Sequence, residues 1–239
     1  MMTANQMVKF GGRNRFGHSL VLQILLYVVI LQVGLSAGET TGGVMQAEIK
    51  GNPPLLNAAM RNDVDAILKL LQEGTGIDAT NKHGQTALMW ASTYGASNVV
   101  GVLIEKGCDI KLRDTTHQAT ALIYAAGSGH KEIVRRLLDH GADLNVRDQK
   151  NQTPLIYAAL GNRLDVLRLL VSRKADLNAQ DKQGMTALMW ASMLQSREAV
   201  RILVAAGANV LVTTPSGMKA VDFAASEALK AELTGKGDR

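Results

Sequence analysis

Few side chains in this chain could do chemistry, and their spacing narrows what that chemistry could be. Cys108 is the single thiol among 239 residues, which excludes an intrachain disulfide, a multi-cysteine zinc site and an iron–sulfur cluster. His83, His117, His130 and His140 are scattered and form no His-Glu-x-x-His pair on one helix face. Gly127-Ser-Gly-His-Lys131 has the look of a glycine loop, but it follows a helical pattern rather than a strand. There is no Gly-x-Ser-x-Gly elbow and no phosphate-binding loop. Cys108 reads as a small packed residue rather than a nucleophile. The expectation is a non-enzyme with no catalytic residues, no metal and no cofactor.

Something must therefore position surfaces rather than reactive atoms. With 46% hydrophobic residues the chain has ample apolar area to bury, so it is not wholly disordered. Its net charge of +5 hints at nucleic acid. Yet Lys9, Arg13 and Arg15 stand in the first 38 residues without any acid, leaving 23 basic against 21 acidic residues elsewhere. A body that close to neutral lacks the overall excess of a phosphate-binding protein, and no nucleic-acid partner is expected.

Those early cations precede Leu20-Val-Leu-Gln-Ile-Leu-Leu-Tyr-Val-Val-Ile-Leu31 and then the small residues Ser36, Ala37 and Gly38. A basic segment, an apolar run and small residues are the layout of a secretory signal peptide. Residues 1–37 are read as that signal, or as an uncleaved membrane anchor, and 38–51 as a flexible lead-in. A buried globular helix is the third alternative. Either of the first two readings places the body outside the cytosol.

Self-comparison defines the remaining architecture. Thr86-Ala-Leu-Met-Trp-Ala91, Thr120-Ala-Leu-Ile-Tyr-Ala125, Thr153-Pro-Leu-Ile-Tyr-Ala158 and Thr186-Ala-Leu-Met-Trp-Ala191 begin 34, 33 and 33 residues apart. Pro53-Pro-Leu-Leu-Asn-Ala58 and Lys219-Ala-Val-Asp-Phe-Ala224 extend the register at either end. A second landmark, Gly107-Cys-Asp109, Gly141-Ala-Asp143, Lys174-Ala-Asp176 and Gly207-Ala-Asn209, keeps the same step. Each unit predicts two short helices. Thr86 can cap the first, Gly95, Gly129 or Asn162 ends it, and apolar spacing such as Ile133-Val-Arg-Arg-Leu-Leu138 marks the second. One unit cannot bury its own apolar face, whereas stacked units share a continuous core.

This pattern resembles the ankyrin repeat, whose 33-residue period and Thr-Pro-Leu-His-x-Ala signature it follows. The resemblance implies an all-α solenoid over residues 52–239, with about six units and short β-turn or hairpin tips. Units fall near 52–80, 81–113, 114–147, 148–180, 181–213 and 214–239. The signature His is replaced by Met89, Ile123, Ile156 and Met189, so apolar packing must take over its tie between units. Trp90, Tyr124, Tyr157 and Trp190 follow, and shared core between units is expected of them rather than a stacked ligand platform. Lys174 occupies a position that calls for glycine.

The resemblance further implies a protein-binding scaffold, monomeric, meeting its partner along the tips and a concave groove. Candidate tip contacts are Lys82, His83, Gln85, Thr115, Gln118, Gln149, Lys150, Gln152, Lys182, Gln183 and Met185. Candidate groove contacts are Tyr94, Ser128, Leu160, Met193 and Leu194. None of these tip candidates is an acid, which favours a partner with an acidic or hydrogen-bonding face. An export signal beside such repeats resembles periplasmic ankyrin-repeat proteins of bacteria. That likeness implies, as alternatives, an accessory or protective factor for an exported enzyme, as in periplasmic stress defence, or a secreted effector.

Overall fold

The structure, a computed structural model, describes residues 52–235. The export segment read over 1–37 and the lead-in over 38–51 lie outside the described residues. Among the described residues eleven α-helices and one 3-10 turn follow one another in pairs. They are α1 (Pro54–Met60), α2 (Val64–Gln72), α3 (Ala87–Tyr94), α4 (Ser97–Glu105), α5 (Ala121–Ser128) and α6 (Lys131–Asp139). Then come α7 (Pro154–Leu160), α8 (Leu164–Ser172), α9 (Ala187–Met193), α10 (Arg197–Ala205), the 3-10 turn Ala220–Phe223, and α11 (Glu227–Thr234). No helix among the described residues is long and apolar enough to cross a membrane.

Local sequence explains the pairs. Thr86, Thr153 and Thr186 each accept a bond from the amide three residues on, at 3.2–3.3 Å, which satisfies a donor the helix leaves open. Pro54 and Pro154 sit in the first turn, where a missing N–H costs nothing. The first helices end in a left-handed residue: Asn62, Gly95, Gly129, Asn162 and Gln195 all have positive φ. At Gly95 (φ 75°) a side chain is excluded twice over, since a Cβ would lie 2.6 Å from the His130 ring of the next unit.

The first helices stack in one row, α1 on α3, α5, α7, α9 and then the 3-10 turn. The second helices form a parallel row behind them, α2 to α4, α6, α8, α10 and α11. A first helix is thus enclosed by two neighbours and its own partner, and in α3 every residue from Ala87 to Ser92 is buried. A second helix has an open side. In α6 Ile133, Val134 and Leu137 are buried while Lys131, Glu132 and Arg135 are exposed. The fold is an all-α repeat solenoid.

Candidate functional site

Three of the tips between units are built around one buried acid each. Asp114 accepts from the amides of Thr116 (2.8 Å) and His117 (2.6 Å) through Oδ1, and from Ala119 (3.0 Å) through Oδ2. Asp148 holds the amides of Lys150 (2.9 Å) and Gln152 (2.7 Å). Asp181 holds those of Gln183 and Met185, both at 2.9 Å. A side chain that bonds its own following amides makes the tight turn without help from the rest of the fold.

The second carboxylate oxygen faces inward to an aromatic. Tyr124 and Tyr157 donate through their hydroxyls to Asp114 (3.1 Å) and Asp148 (2.9 Å). Trp190 donates its indole N–H to Asp181 at 2.9 Å. The first tip carries Asn81, whose single side-chain oxygen is already engaged by His83 and Gln85 amides. Trp90 donates instead to Gln85 Oε1 at 3.1 Å. Trp90, Tyr157 and Trp190 are buried and Tyr124 is half-buried, as expected for shared core. Their polar ends also pin the tips to the first helices, which no single unit's sequence announces.

Successive tips are joined by backbone bonds. The amides of Thr115, Gln149 and Lys182 donate to the carbonyls of His83 (2.9 Å), His117 (2.8 Å) and Lys150 (2.9 Å) of the preceding tip. The matching position in the sixth unit is Pro215, which has no N–H, and its ring packs where a Cβ on Gly184 would stand. A second series runs along the hairpin stems. Arg113 Nη1 donates to the Arg147 carbonyl (2.6 Å), Arg147 Nη1 to that of Gln180 (3.0 Å), and Gln180 Nε2 to that of Thr213 (2.9 Å). Sequence reasoning missed Arg113 and Arg147, although their recurrence at one register was the available signal.

Half of the candidate contacts are open to solvent. Lys82, His83, Thr115, Gln118, Gln149, Lys150, Lys182 and Gln183 are exposed, while Gln85, Tyr94, Ser128, Met193 and Leu194 are half-buried. Three expectations require correction. Gln152 is 5% exposed and donates to Asp181 of the next unit at 3.4 Å. Met185 is 4% exposed because the last residue of a tip turns into the stack, and Leu160 is 7% exposed at the end of α7. None of the three belongs to a contact surface. Tyr94 packs its ring 5.7 Å from Trp90, tilted by 36°.

Cys108 is buried, and burial, with Asp78 and Asp109 nearby, pushes its thiol up to about 12. At neutral pH it is therefore a thiol and not a nucleophilic thiolate. Among the described residues no three His, Cys, Asp or Glu side chains come together to hold a metal ion.

Known proteins give the same architecture. The family model for ankyrin repeats in three copies matches residues 15–114 and again 114–181, and the single ankyrin-repeat model matches 183–215. The chain belongs to the ankyrin-repeat family. An ankyrin repeat-containing protein of Schizosaccharomyces pombe is 36% identical over 62 residues, covering 26% of this chain and 30% of that protein. The chain thus spans about a third of the length of the curated relative it matches. Proteins of this family are in general non-catalytic scaffolds that bind other proteins.

Proposed function

We propose that the chain is a non-catalytic scaffold working outside the cytosol, and that it binds the acidic face of a protein partner along its hairpin edge. The observation that carries the edge is the inward engagement of Asp114, Asp148 and Asp181, which leaves cations and amides as the exposed groups of the tips. Tyr94, Met193 and Leu194, half-buried at the ends of α3 and α9, supply apolar anchors beside that edge. Rim cations act mainly on the rate of encounter. Reversing Lys82, Lys150 and Lys182 to Glu slows partner association roughly tenfold at low salt and much less at high salt. Tyr94→Ala or Leu194→Ala accelerates dissociation at any salt. An unchanged association rate in the triple variant removes the tips from the site.

The location rests on the basic segment and apolar run of residues 9–31. A specific observation favours a second reading, a scaffold that stays in the cytosol: the family match begins at residue 15 and overlaps that run. A reporter active only outside the cytosol, fused to residues 1–45, separates the two. Export gives activity that Leu25→Arg with Leu26→Arg abolishes, and a cytosolic wild-type fusion refutes it.

A further inference from the structure

We infer that the hairpin edge binds an extended acidic segment of its partner, with carboxylates at every third residue over about ten residues. The inference rests on the scaffold reading above and specifies the shape and charge spacing of what docks there. The cations form a single file, with at least one from each of four consecutive units. By hairpin, Lys82 stands beside Asn81, Arg113 and His117 beside Asp114, Arg147 and Lys150 beside Asp148, and Lys182 beside Asp181, all of them exposed. The tip that opens the sixth unit, Thr214 to Met218, has no charged residue. The file therefore has a defined length.

The register follows from the backbone. Each hairpin brings two passes of chain to the edge, as the Thr80–Thr86 bridge shows, and neighbouring hairpins are hydrogen-bonded to one another. Two passes at about 4.8 Å give a step of roughly 10 Å per unit. Helices stacked at about 8–10 Å agree with that step. Four units span three steps, roughly 30 Å, and an extended chain advances about 3.3 Å per residue. A carboxylate at every third residue then meets one cation per unit. Asp109, Asp143 and Asp176 lie at the far ends of the stems, where each accepts the amide two residues on, and so do not interrupt the file.

The same features disfavour a nucleic acid. Phosphates recur about every 3.4 Å along each strand of a duplex, far closer than these cations. Single strands gain their affinity by stacking bases on open aromatic faces, and Trp90, Tyr157 and Trp190 are buried beneath the tips.

The test uses the full chain and two fluorescent dodecapeptides of one composition. In one Glu-Ser-Gly is repeated four times, and in the other the four Glu are contiguous. Fluorescence anisotropy at low salt should show the spaced peptide binding at least fivefold more tightly. Lys82→Glu with Lys150→Glu and Lys182→Glu should weaken it at least tenfold, with the thermal melt of the variant unchanged as a control on folding. Equal affinity for both peptides, indifference to the triple reversal, or tighter binding of an oligothymidylate of equal charge overturns the inference. If neither peptide binds while the triple reversal still slows association with a protein partner, the extended segment is refuted and the scaffold reading stands. If that association is also unchanged, the tip-binding reading falls as well.

Discussion

At Lys174 the backbone is left-handed, with φ 67°, at the position where Gly107, Gly141 and Gly207 hold the same geometry in other units. A Cβ there is strained, and the lysine is exposed. Lys174→Gly should stabilise the array by about 0.5–1 kcal/mol, measured by chemical denaturation, and a destabilised variant would refute the strain. This position was legible because three glycines mark its register. Gln118 and Gln195 also adopt positive φ, at 56° each, and nothing in their residue type announced it. The bonds of the tip acids to Tyr124, Tyr157 and Trp190 were not legible, because they join residues nine or ten positions apart across a turn. Gln152 and Met185 were misplaced for a related reason. Amide and thioether side chains suit surface and interior alike, and only the stacking of the next unit decides between them.

Among the elements, α11 depends most visibly on charge. It buries only Leu229 and Leu233, and Glu232 is clasped by Arg201 Nε at 2.7 Å and by Arg197 Nε and Nη2 at 2.9 and 2.8 Å. The bonds from Arg201 and Arg197 hold the Glu232 carboxyl below its usual range. A depressed folded-state value means the contribution is present above the unfolded value near 4.3 and is lost as pH falls through the folded one. Hydrogen-exchange protection of α11, relative to the intrinsic rate at each pH, should fall as the solution is acidified below about pH 4, ahead of α7 and α8. In Glu232→Gln the helix should be looser at pH 7 and lack the titration attributable to residue 232, and an unaltered pH profile would refute the clasp. The pairing of helices was legible from apolar spacing and the glycine landmarks. The clasp was not, because Arg197 and Glu232 are 35 residues apart and belong to different units.

Across the whole array, stability is shared between neighbours. Leu155 lies in α7, 1% exposed, in a helix packed against both α5 and α9. Leu155→Ala should cost about 2–5 kcal/mol, and exchange should quicken in the third and fifth units as well as the fourth. A loss below about 0.5 kcal/mol would show that Leu155 is not packed as described. The bonds between tips also have a direction, since each later unit supplies the N–H and each earlier one the carbonyl. Such an array can lengthen by gene duplication with its tip bonds intact only through units that keep that N–H. Copies of the third, fourth or fifth unit meet the condition and can be inserted without breaking a bond. The sixth does not, because Pro215 would sever the edge wherever its copy landed. The proline thus biases how such an array can grow, toward copies of the units that precede it.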